Sequence, residues 1–406
     1  MRVLILSQYF WPESFRINEV AESLRQAGCE IAVLTGQPNY PDGKVFPGYR
    51  ASSSGREQHP AGYTIYRVPI VPRGSANGWR LALNYLMFVV SASLRGRRLL
   101  RGQRFDVILV YAPSPILQAI PGIFLKRPLR ASLVTWIQDL WPESIAVAGF
   151  VSNRWLLARV GSLVRWIYRR CDLLLVQSEA FVPTVESMAG GVPVRYQPNP
   201  GELTSEISPA VADAGITLEP GFNVVFAGNF GTVQALDTVL EAAERLLPHP
   251  DVHIVLVGSG SRHSWLMEQV ASRKLSNIRF VARLPPEAMP AVFLQASALL
   301  ASLVRSPIMS KTIPSKVQAY LASGRPIIAS MDGEGARVVE EAGAGLTCAA
   351  EDSAALADRI LRLQAMPQGE LQRMGEAGRA YYRKHFDPGV LTQKLLAHFR
   401  DLGERC

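Results

Sequence analysis

A chain of 406 residues, 48% apolar and 19% charged, can bury two or three cores, which excludes a disordered protein. Its net charge of +9 is lopsided: residues 1–200 carry 23 Lys/Arg against 12 Asp/Glu, and residues 201–406 carry 20 against 22. Only the first half seeks an anion, and without zinc-finger spacing or an aromatic-plus-basic strand that anion is a membrane surface or a phosphorylated substrate, not nucleic acid.

The opening MRVLILSQYF turns polar too soon for a signal peptide. The least charged stretch, between Arg80 and Arg95, is about 14 residues, short of the roughly 20 that a spanning helix needs. Cys29, Cys171, Cys348 and Cys406 lack metal or disulfide spacing, so a reducing cytoplasm is expected.

Residues 2–6 read as a strand, followed by the loop SQYFWPES. Ile17, Val20, Ala21 and Leu24 then keep helical spacing up to Gly28, and 31–35 is the next strand: the βαβ opening of a doubly wound α/β sheet. The first loop contains no glycine, which argues against a dinucleotide fingerprint and demotes a dehydrogenase. It offers Glu13, Ser14 and Arg16 beside Tyr9, Phe10 and Trp11, either to line a cleft or to pack aromatic rings. GQPNYPDGKVFPGYR is a long Gly/Pro-rich loop.

The segment 80–104 is a long apolar stretch ending in Arg95, Arg97, Arg98, Arg101 and Arg104. Further strands are read at 63–71, 105–111, 131–137 and 172–176. Directly after the third of these comes QDLWPES, where α/β enzymes place site residues. Asp139 and Glu143 are therefore candidates for the reacting end, the alternative being a carboxylate that caps the next helix. In a helix over 153–170, Arg154, Arg165 and Arg169 fall on one side and Leu156, Val160, Leu163 and Ile167 on the other. With the 80–104 arginines, this predicts a protein peripheral on an anionic membrane.

Residues 200–221 lose all periodicity and read as a linker between 1–199 and 222–387. A second βα series follows, with strands at 222–227, 252–257, 278–281, 298–302, 326–330 and 345–348. The chain is thus two Rossmann-like domains. Gly228 and Gly231, on either side of Asn229, free the backbone after the first of these strands, and Gly258 does so after the second. IMSKTIPSKVQAYLASGRPIIAS places Lys311, Ser315 and Lys316 at the mouth of a short helix over 317–322, which Gly324 ends before the next strand. A loop with cations beside a helix N-terminus suits a diphosphate.

YFWPESFRINEVAESL, QDLWPES, AGNFGTVQALDTVLEAA, VLVGSGS and PSKVQAYLASGRPIIAS, in this order, resemble the bacterial glycosyltransferases of family 4, nearest those of colanic-acid-type exopolysaccharide and O-antigen assembly, including fucosaminyltransferase-like members. The resemblance implies a GT-B fold of two Rossmann-like domains facing across a cleft. It also implies a UDP- or GDP-sugar donor on the second domain, an acceptor, here a lipid-diphosphate-linked glycan, on the first, retention of configuration, no metal cofactor, and a C-terminal helix over 388–402 packing back on the first domain. Asp139, Glu143 and Glu13 are then the catalytic candidates. Arg16, Gly228, Asn229, Gly231, Gly258, Arg283, Lys311, Ser315 and Lys316 are the donor-binding ones. Where many relatives carry an Arg and a Lys after the first glycine, this chain has Asn229 and Val233 or Gln234, and Lys311 and Ala319 stand where paired glutamates are usual. Phosphate charge must then be met by Lys311, Lys316 and Arg283 or Arg305. A nucleotide-sugar 2-epimerase of the same fold and a non-catalytic scaffold binding nucleotide and membrane are the alternatives.

Overall fold

The computed structural model describes residues 1–74, 78–147, 153–201 and 216–403. The chain divides into two compact units, Met1–Pro200 with Pro388–Cys406, and Gly201–Asp387. Of the expected linker, 202–215 lies outside the described residues.

The first unit is an eight-stranded sheet of β1 (Arg2–Leu6), β2 (Glu30–Thr35), β3 (Gly55–Gln58), β4 (Thr64–Arg67), β5 (Val107–Ala112), β6 (Ser132–Ile137), β7 (Leu173–Val176) and β8 (Val194–Tyr196), in the order β3-β4-β2-β1-β5-β6-β7-β8. All neighbours are parallel except β3 with β4. Its helices are α1 (Ile17–Gln26), α2 (Gly78–Leu99), α3 (Ile120–Leu129), α4 (Glu143–Val147), α5 (Arg154–Tyr168) and α6 (Val182–Ala189). β1, β5 and β6 are apolar runs buried on both faces, as a parallel sheet covered by helices requires.

The second unit is a fully parallel sheet of β9 (Phe222–Asn229), β10 (Val252–Ser259), β11 (Ile278–Val281), β12 (Ala298–Ser302), β13 (Ile327–Ser330) and β14 (Gly345–Cys348), ordered β11-β10-β9-β12-β13-β14. Helices α7 (Leu236–Leu246), α8 (His263–Ser272), α9 (Met289–Gln295), α10 (Ser315–Ser323), α11 (Glu334–Glu341), α12 (Ser353–Gln364) and α13 (Gln368–His385) connect and cover it. The strand order reverses at β9, where a doubly wound sheet opens a crevice outside its carboxyl edge. The last helix, α14 (Pro388–Gly403), belongs to the first unit, burying Leu395, Leu396 and Phe399 against Val3, Ile5 and Val20.

Three details differ from the sequence reading. The 63–71 segment is a strand only over Thr64–Arg67, and β3, a charged GREQ edge strand without apolar alternation, pairs with it. In α5 the buried seam is Gly161, Val164, Ile167 and Tyr168, while Leu156 and Leu163 are exposed. α10 starts at Ser315, two residues early, because the extended Pro314 at the N-cap turns its carbonyl to accept from Val317 N at 2.9 Å.

Candidate functional site

At the carboxyl edge of the second sheet, β9 and β10 end side by side, with Gly228 in register with Gly258. Both have positive φ, 145° and 146°, and a Cβ on Gly258 would fall 2.0 Å from Gly228 O, so only glycine allows this approach. A Cβ on Gly228 would instead point at Lys316 Nζ, 3.6 Å away. Beyond β9 the chain makes a tight turn over Thr232–Gln234, fixed to the end of β12 by Ser302 Oγ donating to Gln234 O at 2.7 Å.

These ends open into a cleft of about 590 Å³. Gly228, Asn229, Gln234, Ser259, Arg283, Ser315 and Lys316 form its polar side, and Leu284, Pro286, Met289, Pro290, Phe293 and Tyr320 its apolar side. Phe293 and Tyr320 meet edge to face at 5.4 Å, and Ala227 N donates to Tyr320 Oη at 3.0 Å, which fixes the ring against the end of β9. No carboxylate lines the cleft among the described residues.

The N-terminus of α10 faces this space through Ser315 and Lys316, and the helix has no side-chain cap. The amides of Ser315 and Lys316, ahead of the Val317 N bond to Pro314 O, lie at the positive end of the helix dipole. The Lys316 amine donates to Gln234 Oε1 and lies 3.8 Å from the centre of the Phe226 ring. Burial pulls its pKa down to about 7, so near neutrality it is a titrating group and not the permanent cation that the loop suggested.

Of the residues expected to bind a donor, Gly228, Asn229, Gly258, Arg283, Ser315 and Lys316 line the cleft together. Gly231 lies just outside, as the N-cap of the 232–234 turn, and Lys311 ends a separate turn, Met309–Lys311. Arg305 is held by Asp332 at 3.6 Å and donates to Ala350 O at 2.9 Å. Arg16 lies in the first unit, where it donates to Pro200 O. Sequence reading missed Gln234 as the partner of Lys316 and the whole apolar wall. The wall's only sequence signal was the Pro-rich PPEAMP run.

In the first unit, Asp139 follows β6 by two residues, accepts from the Ser144 hydroxyl, and is partly buried. Desolvation pushes its carboxyl above the usual range, opposed by hydrogen bonds from Ser144, Leu140 N and Trp141. Glu143, the first residue of α4, is exposed.

The buried carboxylate of Glu13 accepts from Phe10 N at 3.2 Å and from Asn39 N and Tyr40 N at 2.7 Å. It thereby ties the loop after β1 to the loop after β2. Around this tie Tyr9, Phe15 and Tyr40 gather, with ring centres 5.0 to 5.9 Å apart, and Arg73 lies over Tyr9 and Tyr40 at 5.7 and 5.2 Å. Tyr40 is exposed, so this cluster presents an aromatic face with a cation behind it.

Residues 221–365 match the family model described as glycosyl transferases group 1, and residues 14–201 match the glycosyl transferase 4-like domain. Among curated proteins the chain is similar to "Putative colanic acid biosynthesis glycosyl transferase WcaI" of Escherichia coli (strain K12), 27% identical over 342 residues, or 80% of this chain and 82% of that protein. Among solved structures it is similar to sucrose-phosphate synthase from Thermosynechococcus elongatus (TM-score 0.74, 17% identity, 100% and 99% of the two chains). It is also similar to Anabaena Alr3699/HepE in complex with UDP (TM-score 0.73, 14% identity, 99% and 100%). The two structures show a shared fold.

Proposed function

We propose, for a chain that belongs to the group 1 and 4-like glycosyltransferases and has their GT-B fold, a retaining transfer of sugar from a UDP- or GDP-sugar to a lipid-diphosphate-linked glycan during exopolysaccharide or O-antigen assembly. The observation that carries this reading is the cleft of the second unit. There an uncapped helix N-terminus, the Lys316 amine and the glycine backbone of β9 and β10 face the same space as the apolar wall around Phe293. A nucleoside diphosphate has the matching halves, a flat base and an anionic tail.

In the reaction, the bond between the anomeric carbon and the diphosphate oxygen breaks, and the acceptor hydroxyl forms the new glycosidic bond, giving up its proton to the departing diphosphate oxygen. The leaving diphosphate takes the electron pair, and positive charge grows on the sugar. Fixed N–H groups and a protonated Lys316 stabilise the departing charge without a metal cofactor. Asp139 orients the acceptor hydroxyl or the sugar, with Ser144 holding its carboxylate. Among the described residues no helix is long and apolar enough to cross a membrane. The excess of basic residues in the first half supports work at the inner, anionic face of the cytoplasmic membrane.

The test is incubation with UDP- and GDP-sugars, with and without a lipid-diphosphate acceptor. Acceptor-dependent release of nucleoside diphosphate together with a glycosylated lipid supports the reading. An epimerised nucleotide sugar without acceptor, or binding without turnover, overturns it.

A further inference from the structure

One face of α2 is inverted relative to an ordinary surface helix. Trp79, Leu83, Leu86, Val90 and Leu94 are 64, 41, 54, 52 and 66% exposed. Spacings of four, three, four and four residues place them in one line along the helix, a ridge about 22 Å long. The fully buried positions of the helix are Asn84, Phe88, Ser91, Ala92 and Gly96, of which only Phe88 is large and apolar, with Leu99 packing beside them. Asn84 donates to Val71 O and accepts from Gln8 Nε2, each at 2.6 Å, and a Cβ on Gly96 would lie 2.8 Å from Leu34 Cδ2. The inward side is thus locked by hydrogen bonds and close approach, and the bulky apolar side is left outside.

The line of the ridge continues into Arg97 and, past the end of the helix, Arg101. Among the described residues, no salt bridge reaches Arg95, Arg97, Arg98 or Arg101. Beside the ridge, between α2 and α3, runs a groove of about 870 Å³ whose walls are Val90, Leu94, Leu125 and Leu129 and whose end is Arg97, Arg98 and Arg101. Phe124 on α3 is also exposed, at 58%.

We infer that α2 is the membrane-docking element, lying in the headgroup–acyl boundary of a bilayer rich in anionic lipid, with its ridge in the acyl region and its terminal arginines on lipid phosphates. The surface asks for a partner that is apolar along its length and anionic at one end, and an anionic bilayer supplies both. A second copy would bring the same unpaired arginines to the contact, in a half-chain that already carries 23 basic against 12 acidic residues. At about 22 Å the ridge is too long to stand upright in one leaflet, so the helix lies along the surface or tilts shallowly. The inference rests on the reading above for the presence of a membrane substrate, and goes beyond it by assigning the surface.

The test is flotation of the full chain with vesicles of phosphatidylcholine alone or with phosphatidylglycerol, alongside two variants, L86Q/V90Q/L94Q and R97Q/R98Q/R101Q. Binding of UDP by calorimetry in the same preparations reports on the donor cleft separately, so a failure of the sugar-transfer reading and a failure of this one leave different signatures. All substituted positions are exposed, and an unchanged circular-dichroism spectrum and thermal transition certify the fold of the first unit. The wild type floats with the anionic vesicles, and a fraction stays bound at about 0.5 M salt, where screening shortens to roughly 4 Å. The arginine variant loses affinity about fivefold for each charge removed. The ridge variant binds at low salt but is released completely at high salt. Three outcomes overturn the inference: no flotation of the wild type at low salt, a ridge variant that floats as the wild type does, or light scattering without vesicles showing a dimer that the ridge variant breaks.

Discussion

The Lys316 amine is hydrogen-bonded to Gln234, a residue 82 positions earlier in the chain, and the pair stands beneath Gly228, where the absence of a side chain leaves the amine open to the cleft. Gln234 holds Lys316 without neutralising it, because an amide accepts a hydrogen bond but carries no charge. Lys316→Ala is expected to lower turnover roughly 10²–10³-fold, the usual cost of removing one donor to a developing anion. UDP should also bind more weakly, while the thermal transition is kept. Full turnover with unchanged UDP affinity in this variant would sink the diphosphate site.

Donor affinity should depend on pH through the same amine. In the free protein Lys316 loses its proton near pH 7, and a bound diphosphate holds the proton on. Binding above that pH must therefore take up a proton, and affinity falls as pH rises, by up to about tenfold per unit. The measurement is UDP titration from about pH 7.5 to about 9, above the last phosphate ionisation. A flat profile in Lys316→Met and a falling one in the wild type is the expected pair, and equal slopes would remove Lys316 from the site.

Asp139→Asn keeps the size of the side chain and its contact with Ser144 but removes the charge. Turnover is expected to drop with donor affinity unchanged, the mark of an interaction made chiefly in the transition state. Ser144→Ala should give a smaller loss in the same direction, because the carboxylate is then less firmly held. If both variants instead lose melting temperature in proportion to activity, Asp139 is only a brace for the loop before α4.

Tyr40 is the exposed ring of the cluster with Tyr9, Phe15 and Arg73. Removing a stacking ring at about 1 kcal/mol should raise the acceptor KM about fivefold in Tyr40→Ala. Calorimetric UDP affinity, which belongs to the other unit, is expected to stay constant. An unchanged acceptor KM would show that the acceptor lies elsewhere.

The seam that fastens α14 to the first unit should weaken in acid. Arg195 donates to His398 Nδ1 at 3.1 Å and to Asp401 Oδ2 at 2.7 Å. Burial first, then the charges of Arg195 and Lys394, pull the His398 pKa down to about 4 from an ordinary value of 6.5. The unfolded chain therefore binds this proton first as pH falls, and the stability tied to the neutral ring is lost between about pH 6.5 and about 4. The decline of Tm over that window should be shallower in His398→Gln, and an identical decline in both proteins would refute the assignment.

Much of the architecture was legible in local sequence, and the reason is physical. Buried parallel strands must be short apolar runs, and LLLV, VILVYA and ALLAS can be little else, so most strands fell within a residue or two of expectation. The edge strands of the first sheet, β3 and β8, escaped because an edge needs only backbone pairing, whereas β11 and β14, the edges of the second, were read at 278–281 and 345–348. GREQ has no apolar alternation, and only its neighbour TIYR makes it a strand. Gly228, Gly258, Ser315 and Lys316 were readable as a phosphate-type mouth because glycine and helix-start chemistry are local. The partner of Lys316 was not, since a contact spanning 82 residues is made by β-strand order and not by spacing.

By itself, then, the sequence determined two doubly wound halves, a basic first half and most of the polar residues that line one cleft of the second unit. All three follow from composition, short-range periodicity and backbone chemistry. Tertiary structure alone decided that Glu13 is committed to three main-chain amides, that the Lys316 amine is set between Gln234 and Phe226, and which way α2 faces. A carboxylate's role depends on which amides the fold brings to it, and a lysine's charge on how much water the fold leaves around it. Periodicity defines the faces of a helix but not which one meets the sheet. In α2 that choice fell to the Asn84 hydrogen bonds and the close seat of Gly96, which outweighed the apolar row and left it outside.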